Sequence, residues 1–247
     1  MIEHDVLVTT RHAAMPAFTV CPEGTGPVPA VIFFVDAWGM REELKNMARR
    51  IAKQGYFCIV ADLYYRYGTI RFDLTRRHDG MAAVMRAAYH NLTDDNVKDD
   101  TAAMLGYLAA HPQVRSGPVG TVGYCMGGRF VTTTARQFPD QIVAGVSICG
   151  TRLVTDQPDS PHLHLSGIKA NLYFGFGGND HTTPADYLAR FQSALDASGL
   201  AFGMDIFAGA EHGYCFAERH TYEAGASEAS WSKMFDLYSR TLGAAHV

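Results

Sequence analysis

No stretch of this chain concentrates positive charge. Its 21 Lys and Arg stand against 25 Asp and Glu, for a formal net charge of −4, and no basic cluster offers nucleic-acid phosphates a footprint. Nowhere do apolar residues run uninterrupted for the roughly 18 positions that a membrane helix needs. Met1-Ile2-Glu3-His4-Asp5-Val6 has neither the basic start nor the apolar centre of a secretory leader. The five cysteines form an odd set without a Cys-x-x-Cys pair or zinc-like spacing, so neither a disulfide framework nor a cysteine-based metal site is expected. Internal repeats, low-complexity tracts and linkers are lacking too. These absences lead to the expectation of a cytoplasmic protein that acts on a small molecule, with no nucleic-acid or membrane partner, cofactor or metal.

What is present suits one large core. With 247 residues, 47% of them hydrophobic, the chain is long enough for a single α/β domain over residues 1–247. Asp5 to Thr10 and Ala17 to Val20 read as an opening hairpin. Ala30 to Val35, Tyr56 to Ala61, Pro118 to Val122, Ile142 to Cys149, Ala170 to Phe176 and Phe202 to Phe207 are short apolar runs of the kind expected for strands buried on both faces. Helical spacing falls between them, over Glu42 to Gln54, Asp95 to His111, Gly128 to Arg136, Pro184 to Ala197 and Ala226 to Leu242. Strands alternating with helices predict a mostly parallel sheet with helices on both faces. Asp62 to Gly80, aromatic and Arg-rich with little period, reads as a lid or pocket wall.

The motif that carries chemistry is Gly123-Tyr124-Cys125-Met126-Gly127, between a predicted strand and a predicted helix. That is the layout of a nucleophile elbow, with a thiol in place of the usual hydroxyl. A buried cysteine acting as a small hydrophobe is the competing reading, and suits Cys21, Cys58, Cys149 and Cys215. Later strand ends favour the nucleophile. Ligands in such sheets bind beyond the carboxyl ends of strands; there Asp180 sits in Gly177-Gly178-Asn179-Asp180-His181, and His212 in Gly209-Ala210-Glu211-His212-Gly213. Nucleophile, acid and histidine thus occur in the chain order of an α/β-hydrolase triad, in which the imidazole takes the nucleophile's proton and the carboxylate fixes its tautomer. Asp36-Ala37-Trp38-Gly39 follows another strand, and the amides of Ala37 and Met126 are the expected oxyanion donors. His162 and His164 lie two apart, but no third metal ligand accompanies them.

With these motifs the chain resembles the dienelactone hydrolases, or carboxymethylenebutenolidases, over nearly its whole length. The resemblance rests on the elbow Gly123 to Gly128, the Asp180 turn, His212-Gly213 with Phe216 nearby, and Asp36 to Gly39. It implies an α/β-hydrolase fold and a Cys-His-Asp triad, Cys125, His212 and Asp180, that opens a lactone ester through a thioester. The family carries a glutamate at the position of Asp36, which holds the resting thiol neutral and accepts its proton; here that carboxylate is one methylene shorter. Family arginines bind a substrate carboxylate, for which Arg76, Arg77 and Arg219 are the candidates, and Trp38 and Tyr124 are further pocket candidates beside Tyr64, Tyr65, Tyr67 and Tyr214. Two alternatives stay open: a broader esterase or thioesterase, and a hydrolase-fold protein that binds a ligand or senses oxidants through Cys125 without turnover.

Overall fold

The computed structural model describes residues 1–24 and 26–243. Internal contacts divide the described residues into two compact units, one from Met1 to Gly117 and the other from Pro118 to Gly243.

In the first unit, β1 (Ile2–Thr9) and β2 (Ala14–Cys21) pair antiparallel, with Ile2 opposite Cys21 and Thr9 opposite Ala14. Thr10 closes the turn, its hydroxyl accepting from the amides of His12 and Ala13. Both strands run further than their apolar cores suggest. The reason is that ladder pairing carries β1 on through exposed positions, where burial gives no signal. β2 is antiparallel to β4 (Phe57–Ala61), which is parallel to β3 (Ala30–Phe34). Every residue of β3 and β4 is buried, as continuous apolar runs require. Helix α1 (Glu42–Ala52) lays Leu44, Met47, Ala48 and Ile51 inward, packing on β4 and β2. Helix α2 (Asp79–Asn91) was not among the predicted helices; Ala88 is its one buried residue. Helix α3 (Asp94–Ala110) starts with a capping box between Thr93 and Asn96. Its buried Asp100 takes Arg66 on both oxygens and the Tyr65 hydroxyl, tying the aromatic connection to the helix.

The second unit is parallel throughout, in the order β5 (Val119–Tyr124), β6 (Ile142–Ile148), β7 (Asn171–Gly177), β8 (Phe202–Phe207). Three helices connect and close it: α4 (Met126–Gln137), α5 (Ala185–Ser198) and α6 (Ala224–Leu242). Two glycines tell which face each helix covers. A Cβ on Gly120 would meet Tyr238 and Leu242 of α6, whereas one on Gly145 would meet Val131 of α4. Gly120 pairs with Ala144, so Gly145 faces the other way. Helices therefore cover both faces, and the chain has the α/β-hydrolase architecture expected of it. No described helix is long and apolar enough to cross a membrane.

Candidate active site

Cys125 stands between β5 and α4 at φ 54°, in the left-handed region that L-residues avoid. Such a conformation costs about 1–3 kcal/mol and persists where its surroundings hold it. Here the Cys125 amide donates to Ile148 O (2.9 Å), and Cys125 O accepts from the amides of Gly128 and Thr151. The flanking glycines are obligatory for contact reasons. A Cβ at Gly123 would lie 2.1 Å from Gly127 O, and one at Gly128 would lie 2.6 Å from Gly150 Cα. Cys125 is partly exposed, while the other four cysteines are buried. Met126 is the first residue of α4, where amides point away from the helix body.

The turn after β7 is pinned to the loop after β8. Gly178 N donates to Phe207 O (2.8 Å) and Asn179 N to Ala210 O (2.9 Å), while Gly177 is so close to Ala210 that a Cβ would sit 2.5 Å from its carbonyl oxygen. This contact carries Asp180 to His212. His212 Nδ1 meets Asp180 Oδ2 at 2.7 Å, and His212 Nε2 meets Cys125 Sγ at 3.1 Å. Three strand ends thus deliver a thiol, an imidazole and a carboxylate in one line. Burial opposes charge on His212, but the Cys125 sulfur and Asp180 outweigh it, and the imidazole is pushed up to about 11. Burial also pushes Asp180 upward, yet the bonds from His212 and Thr182 win and leave it below the usual carboxylate range.

Two neighbours had not been singled out from the sequence. The Thr182 amide (2.8 Å) and hydroxyl (2.6 Å) both donate to Asp180 Oδ1; the Asp-x-Thr spacing of an Asx-turn was the available signal. Cys149, fully buried at φ 50°, had none. Its sulfur lies with a His212 nitrogen and an Asp180 oxygen, all within 4.8 Å of one another, the group among the described residues with the donors to hold an ion. His212 and Asp180 are already committed to each other, which suits a proton relay better than a metal centre. Burial disfavours the Cys149 thiolate, but Cys215, His212 and the Gly213 amide lower its pKa. His162 and His164 turn to separate partners, Ser160 Oγ and Pro158 O.

The other predicted residues are placed as follows. Within the first unit, Asp36 is fully buried; Arg41 Nη1 donates to its Oδ1 and Nη2 to its Oδ2 (3.1 Å), and the Trp38 amide adds a bond to Oδ1 (3.2 Å). Ala37 O accepts from the Tyr64 hydroxyl (2.9 Å). Trp38 lies edge-on to Phe72 and beneath the Arg77 guanidinium, 4.6 Å from the ring centre. Arg76 is a surface residue paired with Asp73. In the second unit, Tyr124 is buried against Phe216, and Arg219 covers the other aromatic contact, its guanidinium 4.3 Å from the Phe216 ring centre.

This strand-turn-helix thiol with its histidine and aspartate lies in a chain whose residues 15–242 match the model of the Dienelactone hydrolase family. The chain belongs to that family. It is accordingly a hydrolase of the dienelactone hydrolase type, acting on a small molecule. A Methylorubrum extorquens relative described as "Putative carboxymethylenebutenolidase" is 26% identical over 242 residues, covering 96% of this chain and 81% of that protein. A Bradyrhizobium relative described as "Probable 2-oxo-3-(5-oxofuran-2-ylidene)propanoate lactonase" is 26% identical over 227 residues, covering 91% and 89%. The crystal structure of a Klebsiella pneumoniae protein described as "Putative Dienelactone Hydrolase" has the same fold, with a TM-score of 0.87 at 23% identity over 97% of this chain and 98% of that one.

Proposed function

We propose that Cys125, His212 and Asp180 form a catalytic triad that hydrolyses small carboxylic esters through a thioester, with lactones of the dienelactone type as the substrate class. The observation that carries this reading is the unbroken line from Asp180 Oδ2 to His212 Nδ1 (2.7 Å) and from His212 Nε2 to Cys125 Sγ (3.1 Å). The relatives' descriptions as carboxymethylenebutenolidase and lactonase support the substrate class.

The electrostatics suggest how the steps follow one another. The attacking form of a cysteine is its thiolate, and His212 Nε2, 3.1 Å from Cys125 Sγ, is the group that takes up the thiol's proton, which an imidazole pushed up to about 11 holds at neutral pH. The thiolate attacks the acyl carbon, and the oxyanion is assigned to the amide of Met126, the first residue of α4. Collapse breaks the ester bond, and His212 gives its proton to the leaving oxygen. Acylation removes the sulfur's negative charge, a main cause of the raised imidazole pKa. Burial then favours neutral His212. The neutral ring takes a proton from water, hydroxide attacks the thioester, and Cys125 leaves as thiolate beside a re-formed imidazolium. In a lactone both halves leave as one molecule, the ring having opened.

Asp36 is assigned a different part. Arg41 occupies both of its oxygens, so the pair anchors the loop that follows β3. A working thiol suits a reducing compartment, and we place the protein in the cytoplasm. A second reading, thiol-based sensing, draws on the Cys149–Cys215 contact beside His212. Turnover of a dienelactone, aryl esters and thioesters, measured beside the alkylation rate of Cys125, separates the two. Lactone turnover lost in Cys125→Ala supports the hydrolase, a broader profile supports a general esterase, and rapid alkylation without any turnover sinks catalysis.

A further inference from the structure

Asp180 and His212 do not hold each other unaided. Both donors of Thr182 fall on Asp180 Oδ1, the amide at 2.8 Å and the hydroxyl at 2.6 Å, which leaves Oδ2 to His212 Nδ1. The same hydroxyl oxygen lies 3.1 Å from His212 Nδ1. A threonine hydroxyl has one proton and two lone pairs. An ionised carboxylate can only accept, so the 2.6 Å contact commits that proton to Asp180. Toward the ring, Thr182 Oγ1 is therefore an acceptor. Nδ1 faces two oxygens and must carry hydrogen, and Nε2 is the nitrogen left to exchange a proton with Cys125 Sγ. The β-branched side chain supports this aim, since its χ1 has few alternatives.

We infer that Thr182 is a positioning residue: its hydroxyl, by donating to Asp180 and accepting from His212 Nδ1–H, fixes the tautomer and ring orientation that turn Nε2 toward the Cys125 thiol. The inference rests on the triad reading, and it adds a fourth side chain that touches neither substrate nor sulfur. Thr182 acts through Asp180 and His212 alone. It lies within residues 177–183, the turn pinned to the loop of His212, so one local segment both delivers the carboxylate and orients it. Its neighbours are not equivalent: His181 is exposed, and Thr183 is buried with its amide on Asp180 O.

Three variants separate the hydroxyl from the shape. Thr182→Val keeps the branched outline and the backbone donor and removes the hydroxyl; Thr182→Ser keeps the hydroxyl; Thr182→Ala removes both shape and hydroxyl. Each is read twice, by ester kinetics and by the low-field proton resonance of the His212 Nδ1–H in substrate-free protein. Loss of one hydrogen bond to a charged group predicts that Thr182→Val lowers kcat/KM by roughly 10- to 100-fold, chiefly through kcat. Its Nδ1–H resonance should shift or broaden. Thr182→Ser should stay within about threefold of the parent, because the donor and acceptor persist. A Thr182→Val protein with unchanged resonance overturns the inference, whatever its kinetics. So does an equal loss in the serine and valine variants, which would mark packing as the cause. If the parent gives the resonance and the variants behave as expected but no ester is turned over, the triad's assigned chemistry fails while the positioning role stands.

Discussion

Asp36 and Asp180 each follow a buried strand, each is almost wholly shielded from water, and each accepts hydrogen bonds on both carboxylate oxygens. The donors differ. Asp36 faces Arg41, a guanidinium that keeps its protons at any pH a protein survives. Asp180 faces an imidazole, which can pass a proton on, and a hydroxyl that steadies it. Burying a carboxylate is costly unless it is paired and hydrogen-bonded, so both sites meet the same requirement. On the proposed reading one answer yields a fixed anchor and the other a relay, and the partner's chemistry, not the burial of the acid, decides which.

The sharpest way to break this comparison is to neutralise each acid in turn. Asp180→Asn should lower ester hydrolysis by roughly 10³- to 10⁴-fold, as loss of the triad acid does elsewhere, with the fold intact by circular dichroism. Asp36→Asn should act on stability, because removing the charged partner of a buried ion pair costs about 3–5 kcal/mol, read as a lower midpoint in urea. Arg41→Met should cost a similar amount, and the Asp36→Asn, Arg41→Met double variant less than the sum. A catalytic collapse in Asp36→Asn at unchanged stability would show that Asp36 belongs to the chemistry after all.

The next effect is in pH. His212 carries a pKa raised to about 11 from an ordinary 6.5. Its stabilising contribution is therefore complete below the unfolded-state value and is lost as pH rises through about 11. Asp180, held below its ordinary 3.8, contributes above that value and loses its contribution as pH falls through its folded-state pKa. Activity should accordingly persist well above pH 8, with its alkaline decline near the His212 value, and the decline should move to lower pH in Asp180→Asn. An alkaline limb in the ordinary histidine range would contradict the raised imidazole. The smallest expected change is Arg76→Ala, which removes an exposed pair with Asp73 and should leave the urea midpoint essentially unchanged. A large rise in KM in that variant would instead assign Arg76 to the substrate.

Much of this arrangement was legible because its constraints are local. Gly123 and Gly128 mark a turn whose backbone contacts admit no Cβ, and apolar runs mark strands whose ends hold Cys125, Asp180 and His212. Thr182 was half legible, since Asp-x-Thr announces a turn but not that the turn faces an imidazole. Arg41 was harder: five residues from Asp36, it gives no sign that the loop folds its guanidinium back onto the acid. Cys149 was unreadable, because only the pairing of β6 between β5 and β7 brings its sulfur to His212. Helix α2 was missed for the opposite reason. It buries Ala88 alone, and propensity without burial is a weak signal.

The account turns on covalent chemistry at one sulfur. Protein quenched in acid during turnover of an aryl ester or lactone, digested and analysed by mass spectrometry, reports where the acyl group rests. The triad predicts an acyl adduct on the peptide carrying Cys125, accumulating further in His212→Ala if any acylation survives there and absent in Cys125→Ala. Turnover with Cys125 unmodified, or with the adduct on Cys149, would contradict it.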